Sequence, residues 1–505
     1  MVRRFLTLPL FLILAGIGSV SMIAPAVFAL RIEAFHDARS FFYSGLVGLI
    51  LTTLVGIAMS TRPASDSPLK QLLTLLAAFA ILPAFLAVPF YEAVRNTTFV
   101  NAYFEMVSSF TTTGATLFDA DRLSGPEHLW RAQVGWMGGL LMWIAAAAIL
   151  APLTLGGFEV TAIGEPGQTP VSGEARGDIS GPAQRLARSA HTLIPVYAGL
   201  TLSIWILLLV LGDTPLVALC HAMSVMATSG ITPLADLGQS QSGIAGEMVL
   251  FCFLFFALSR STFSTDTGAN SWRGFWQDPE FRLGTLIVLL VTLLLFSRHF
   301  VAALDFGDDE GALQALRALW GGVFTSLSFL TTTGFVSADW GAAQNWSGLQ
   351  TPGLILLGLA MVGGGVATTA GGVKLLRVFA LYLNGLREIE KLVHPSSVGR
   401  TGVMGRRIRK EGAFIAWVFF MLFALTLAAV TMLLALLGVP FEPSFVLAIA
   451  ALTNTGPLIG ISAAEPVELL RLGTEAKALL GAAMVLGRLE LLALIVMLTP
   501  DLWRN

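Results

Sequence analysis

A chain of 505 residues that is 55% hydrophobic and only 12% charged, with mean hydropathy +0.77, carries too little charge to cover a water-soluble surface of its size, against roughly 25% in an average soluble domain. The formal net charge of −2 says little about nucleic acid, but no basic helix is interleaved with aromatics, so no nucleic-acid partner is expected. The two cysteines, Cys220 and Cys252, sit in apolar segments without metal-ligand spacing and read as packing residues.

In chain order, apolar runs close to the length needed to cross a bilayer, roughly 20 residues, occur at 5–30, 41–60, 70–90, 132–155, 192–211, 246–259, 283–301, 350–362, 412–438 and 476–499. The pattern is that of an all-α polytopic membrane protein. The first run is too long for the core of a signal peptide and lacks a convincing cleavage site, so it reads as a retained helix. Residues 374–410 hold nine Lys/Arg (Lys374, Arg377, Arg387, Lys391, Arg400, Arg406, Arg407, Arg409, Lys410) against Glu388 and Glu390, which assigns this loop to the cytoplasm. The acidic stretch with Asp305, Asp308, Asp309 and Glu310 then lies outside, and both termini fall inside. The loop 157–188 also falls inside although it is slightly acidic, so the charge rule holds only on balance.

Four short stretches repeat: Phe110-Thr111-Thr112-Thr113-Gly114-Ala115, Met226-Ala227-Thr228-Ser229-Gly230-Ile231, Leu330-Thr331-Thr332-Thr333-Gly334-Phe335 and Leu452-Thr453-Asn454-Thr455-Gly456-Pro457, with their glycines 116, 104 and 122 residues apart. Each follows an apolar segment too short to span: Phe99–Phe110, Pro215–Met226, Ala318–Leu330 and Phe441–Leu452. Asp213-Thr214-Pro215 and Glu442-Pro443-Ser444 read as helix starts, a cap followed by proline. The unit is therefore a spanning helix, a re-entrant half-helix, an extended Thr/Gly strand and a second spanning helix. It divides the chain into two N-terminal helices (1–62) and four pore units at 63–157, 188–265, 280–395 and 408–505.

Non-helical backbone at membrane depth needs protein or water to satisfy its polar groups. Four such strands around one axis meet that need by pointing carbonyls, with threonine hydroxyls, into a shared channel where they replace the hydration shell of an alkali cation. The half-helices aim their partly negative C-terminal ends at the same point, favouring a cation. The expected ligands are Thr112, Thr113, Thr228, Ser229, Thr332, Thr333, Asn454 and Thr455, with Gly114, Gly230, Gly334 and Gly456 giving positive φ or close backbone approach. One Thr-Thr-Gly after an apolar helix is an ordinary C-cap. Four copies, each after a half-helix and between spanning runs, are not explained that way.

These strands, together with Glu105-Met106-Val107-Ser108-Ser109-Phe110, Trp130-Arg131 with Gln133, Trp136, Gly138 and Gly139, Asp278-Pro279-Glu280-Phe281-Arg282, the Gly363–Lys374 tract, Leu392-Val393-His394-Pro395 and Gly487-Arg488-Leu489-Glu490, cover nearly the whole chain. The set resembles the Trk/Ktr/HKT superfamily of potassium transporters, and within it the bacterial TrkH-type subunits. The resemblance implies K⁺ as the transported ion, no organic cofactor, the bacterial inner (cytoplasmic) membrane with its lipid, a homodimer of pores and a cytosolic, TrkA-like ring of nucleotide-binding regulatory subunits. The second strand departs with Thr228-Ser229 and the fourth with Asn454-Thr455, so the four walls are unequal. That leaves the K⁺ over Na⁺ preference to be measured, because ligand number, field strength and cavity size all bear on it.

The gate candidates are Gly363, Gly364, Gly365, Thr368, Thr369, Gly371, Gly372, Lys374 and Arg488. Each helical glycine costs up to about 1 kcal/mol against alanine, so the tract breaks the helix begun at Leu354 and can bend beneath the filter. The alternative is a small-residue face for close helix packing. Lys374 is placed to pin the tract or meet the cytosolic partner. Arg488 lies deep in the run 476–499, where a charge needs a cavity or partner; it is expected below the filter as an electrostatic barrier, the alternative being an ion pair with another helix. Glu490, two positions on, faces another direction. His221 reads as a packed polar residue, and no phosphate-loop Gly-Lys-Ser/Thr follows the glycines. A Na⁺-selective or Na⁺-coupled relative is the nearest alternative function; a polytopic membrane enzyme would need a His/Asp/Glu cluster that the spans lack.

Overall fold

The computed structural model describes residues 9–59, 68–153, 155, 157–158, 182–258, 278–306, 312–349, 351–394, 410–462 and 467–490, and among these there is no strand. The linkers expected between units, the acidic Asp308–Glu310, the basic residues 400–409 and the run beyond 490 lie largely or wholly outside the described residues. Among the described residues, seven helices are long and apolar enough to cross a membrane: Leu10–Arg31, Phe35–Met59, Lys70–Ala93, Gly125–Leu150, Gln184–Val210, Pro279–Arg298 and Gly412–Leu436. Their outer faces carry exposed leucines and isoleucines such as Leu54, Ile57, Leu289, Leu293 and Leu425, while Thr111, Thr331, Thr333 and Thr455 are fully buried. Apolar outside and polar at the centre is the distribution that lipid imposes on a chain with a polar axis.

The half-helices form at Phe99–Phe110, Pro215–Ala227, Ala312–Leu330 and Phe441–Leu452. The third starts six residues earlier than the sequence suggested, because Ala312-Leu313-Gln314-Ala315-Leu316-Arg317 are all good helix formers. Two expected caps are differently built. Thr214 holds the N-cap position without a side-chain bond, Pro215 is the first helical residue, and Asp213 instead receives Ser240 Oγ, Ser242 N and Ser242 Oγ. The fourth half-helix begins at Phe441 after Pro440, placing Glu442 inside the first turn.

Packing closes the units into a ring. Gly125–Ala145 of the first unit packs on the second half-helix, Gly243–Leu254 of the second on the third, and Gly353–Val362 of the third on the fourth. Thr474–Leu489 of the fourth returns to the first half-helix. Adjacent glycines allow close approach on both sides of Gly125–Ala145: a methyl on Gly138 would overlap the Phe110 carbonyl at the end of the first half-helix, and one on Gly139 would come within 3.0 Å of Ala227 at the end of the second.

Three expectations change. The run 246–259 is a shorter helix, Gly243–Leu254, followed by a 3₁₀ turn to Leu258. The basic loop after Lys374 is helical from Leu375 to Val393, and two of its counted cations are not available at a surface, since Lys374 and Arg377 are buried. Cys220 is buried but Cys252 is exposed, because it lies on the outward face of Gly243–Leu254.

Candidate functional site

Each half-helix ends the same way. The second residue after it, or the first in the case of the second half-helix, which runs one residue longer, adopts the left-handed conformation, at Thr112 (φ 56°), Thr228 (φ 50°), Thr332 (φ 57°) and Asn454 (φ 53°). The following amide folds back onto the helix, Thr113 N to Ser108 O (2.8 Å), Ser229 N to Ser224 O (3.0 Å), Thr333 N to Ser328 O (2.9 Å) and Thr455 N to Ala450 O (2.9 Å). This is a helix C-cap geometry with threonine or asparagine where glycine is usual, and each such residue costs roughly 1–3 kcal/mol of strain. Repetition of the same strain on all four walls marks it as a constraint of the assembly.

The strands that follow meet one another. A methyl on Gly114 would overlap the Ser229 carbonyl, one on Gly230 the Thr333 carbonyl, one on Gly334 would come within 3.0 Å of the Pro457 ring, and one on Gly456 would overlap the Ala115 amide. The contacts run first to second to third to fourth and back to first, so the walls surround one axis in chain order. Gly114, Gly230 and Gly334 have φ of 74°, 63° and 83°. Gly456, which Pro457 follows, does not share this positive φ and lies in a turn. Its amide instead donates to Thr113 O of the neighbouring first wall at 2.6 Å.

Several hydroxyls expected as ligands already have protein partners. Thr113 Oγ1 pairs with Thr111 Oγ1 (2.8 Å), Thr333 with Thr331 (3.1 Å), Thr455 with Thr453 (3.2 Å), and Ser229 Oγ with Ser224 Oγ (3.1 Å). The left-handed residues are held as well. Thr112 Oγ1 accepts from Arg488 Nη2 (2.6 Å), Thr228 Oγ1 donates to Thr369 Oγ1 (2.9 Å), and Thr332 Oγ1 accepts from Gly371 N (2.7 Å). Asn454 Nδ2 donates to Met484 O (2.9 Å).

Helix Gly353–Val362 breaks at Gly363 (φ 76°) and resumes at Leu375 after Lys374 (φ 83°). Both ends of the intervening tract are clamped, with Val373 N to Met361 O, Lys374 N to Val362 O and Leu375 N to Gly364 O, all at 2.9 Å. The tract is buried, and a methyl on Gly371 would overlap Thr453 O. Thr368 Oγ1 closes a turn on Gly365 O (2.7 Å), and Lys374 Nζ donates back to Ala370 O. Arg488 is 3% exposed and bridges the two parts of the site: Nη1 donates to Thr369 O of the tract while Nη2 holds the first wall. Glu490 pairs not with Arg488 but with Arg377 Nη2 (2.6 Å), whose guanidinium also stacks 3.8 Å from the Phe419 ring. His221 Nε2 lies 3.0 Å from Thr232 Oγ1, and its ring packs edge-on against Phe335 with centroids 5.6 Å apart.

A family model described as TrkH, cation transport protein, matches residues 49–503. The chain belongs to the TrkH family. It is similar to the Trk system potassium uptake protein TrkH of Vibrio parahaemolyticus, at 29% identity over 98% of each chain. Against the protein of the same description from Halomonas elongata, identity is 31% over 80% of each. The crystal structure of the potassium transporter TrkH from Vibrio parahaemolyticus superposes over 100% of both chains with a TM-score of 0.80 at 26% identity.

Within this TrkH fold, sequence reasoning assigned no role to the buried carboxylates of Glu105 and Glu247, and read Asp213 only as part of a helix start. Glu105, inside the first half-helix, pairs with Arg131 Nε at 2.6 Å and accepts from Leu117 N at 3.0 Å, tying the half-helix to the segment beyond the first wall. Glu247 accepts from Trp320 Nε1 (2.8 Å), Ser337 Oγ (2.7 Å) and Ala338 N (2.7 Å), which fastens the second unit to the third. Asp213 plays the corresponding part between Ser240 and Ser242. An acid within an apolar helix was the available signal for Glu105 and Glu247.

Proposed function

We propose that this chain conducts K⁺ into the cell across the bacterial cytoplasmic membrane, moving ions and catalysing no reaction. The supporting observation is the closed ring of four strained strands, each wall held from below by the Gly363–Lys374 tract or by the helix that bears Arg488. The potassium assignment comes from the relatives, which are named potassium uptake proteins. In this reading the main-chain carbonyls supply the ion ligands, because the threonine hydroxyls are taken up by their neighbours. Carbonyl dipoles and half-helix C-termini together favour a cation in the ring.

The tract is the gate. Seated as described, it fills the space beneath the walls and makes hydrogen bonds that would have to break for an ion to pass. Arg488 adds a positive charge at the same level, so the seated state opposes a cation by contact and by field. The cytosolic regulatory subunit would act through Leu375–Val393, which continues directly from the tract; its exposed face includes Glu388 and Lys391, with Arg387 half-buried beside them. The two copies of a homodimer would each carry a separate pore, with both termini in the cytoplasm.

The direct test is flux into liposomes holding the purified protein, with K⁺ or Na⁺ as the driven ion. K⁺ entry well above Na⁺ entry supports the reading. The unequal walls keep one rival in view, a Na⁺-selective pore, and Na⁺ entry equal to or above K⁺ entry would establish it. No cation flux under any gradient would remove the transport reading for the isolated chain.

A further inference from the structure

The fourth wall differs from the other three in its side chain, in its glycine and in its hydrogen bonds. Asn454 occupies the left-handed position that threonine holds elsewhere. Its Nδ2 donates to Thr113 Oγ1 of the first wall (3.0 Å) and to Met484 O (2.9 Å), which fixes the orientation of the carboxamide, since a carbonyl can only accept. Its Oδ1 is buried without a hydrogen-bond partner. Two residues on, Gly456 N donates to Thr113 O at 2.6 Å, whereas Gly114 and Gly334 donate back to their own half-helices at Ser108 O (3.3 Å) and Ser328 O (3.2 Å). Thr113 therefore receives the fourth wall twice, once at its hydroxyl and once at its carbonyl.

We propose that Asn454 is a specificity-determining positioning residue: its carboxamide ties the fourth wall to the first, and so holds the Gly456 amide on the Thr113 carbonyl. This rests on the filter reading above and adds that one of the four ligand positions at that level is weakened by a protein hydrogen bond. A carbonyl already accepting a hydrogen bond offers less field to an ion. A weaker field discriminates against the ion with the higher charge density, which is Na⁺. The tie also keeps the ring from contracting, because the fourth wall is anchored on its far side to Met484. Pro457 contributes by restricting the backbone of Gly456, whose amide faces the first wall.

Asn454→Thr is the variant of choice, since three walls already accommodate threonine at this backbone conformation. Losing the tie should lower the K⁺ to Na⁺ permeability ratio by roughly 3- to 10-fold, the worth of one net hydrogen bond. The ratio would be read from reversal potentials with K⁺ on one side and Na⁺ on the other, in bilayers holding the purified full-length protein. Thr113→Val removes the acceptor of the same tie and should lower the ratio similarly. The double variant should fall no further than the worse single, because both remove one interaction. A ratio within twofold of the parent in Asn454→Thr, or additive losses in the double variant, would overturn the proposal. Gly114→Ala, measured alongside, separates the two levels: if it alone abolishes or alters conduction, the filter reading stands and the role of Asn454 falls. If Gly114→Ala conducts with unaltered preference, the filter reading itself fails.

Discussion

Removing the Arg488 side chain is the perturbation whose size the structure states best. The guanidinium gives one hydrogen bond to Thr112 Oγ1 and one to Thr369 O, joining the first wall to the gate tract, and it is 3% exposed. A hydrogen bond from a charged donor contributes about 1.5–3 kcal/mol. If both bonds exist only while the tract is seated, Arg488→Ala weakens the seated state by at least about 3 kcal/mol, which shifts the open-to-closed ratio by about 150-fold. Loss of the positive charge lowers the barrier to a cation in the same direction. The assay is basal K⁺ leak from liposomes holding the purified variant, with correct folding checked by monodispersity and melting temperature. Arg488→Lys keeps the charge but lacks the planar fork, so it should leak at an intermediate rate. A folded Arg488→Ala protein whose leak equals that of the parent would show that the two bonds do not hold the gate. A leak that is lower would show that Arg488 assists conduction.

Thr369→Val removes the acceptor used by Thr228 while leaving the Thr369 carbonyl for Arg488; a neutral hydrogen bond of about 1 kcal/mol predicts roughly a fivefold rise in leak. Arg377→Ala leaves Glu490 buried without its cation and removes the stack on Phe419; the expected loss is about 3–5 kcal/mol, visible as a lower melting temperature. Glu105→Gln should destabilise by a similar amount for the same reason, since Arg131 loses its counter-charge. Gly138→Ala forces a methyl into the Phe110 carbonyl and should sharply reduce the yield of folded protein.

Much of the architecture is legible in the sequence because Thr/Gly strands recur after helices too short to span. What the sequence could not give is which atoms those strands use. Glycine was expected to carry the unusual backbone, yet Thr112, Thr228, Thr332 and Asn454 also take left-handed φ, since the helix ends before the glycine is reached. Threonine hydroxyls were expected to serve as ligands, but Thr113, Thr333 and Thr455 bond to the threonine two positions earlier, a pairing set by the curl of the strand. The dipeptide Gly456-Pro457 did carry a signal that the fourth wall would differ, through the restriction proline places on the residue before it. The broken helix was legible from its glycines, whereas the partners of Thr369, Gly371 and Arg488 lie more than a hundred residues away for two of the three contacts and emerge only from packing. The Arg377–Glu490 pair was hidden for the same reason, its members standing 113 positions apart.

Uptake of K⁺ and of Na⁺ in a host without its own potassium importers, comparing the parent with Gly114→Ala and Gly334→Ala, bears most directly on the ring of carbonyls. Each added methyl would enter the neighbouring wall, at the Ser229 carbonyl in one case and the Pro457 ring in the other, on backbone that already has positive φ. Both variants should therefore lose K⁺ uptake or its preference over Na⁺ while still reaching the membrane. Normal uptake with unchanged preference in both would mean that ions do not pass between these four strands.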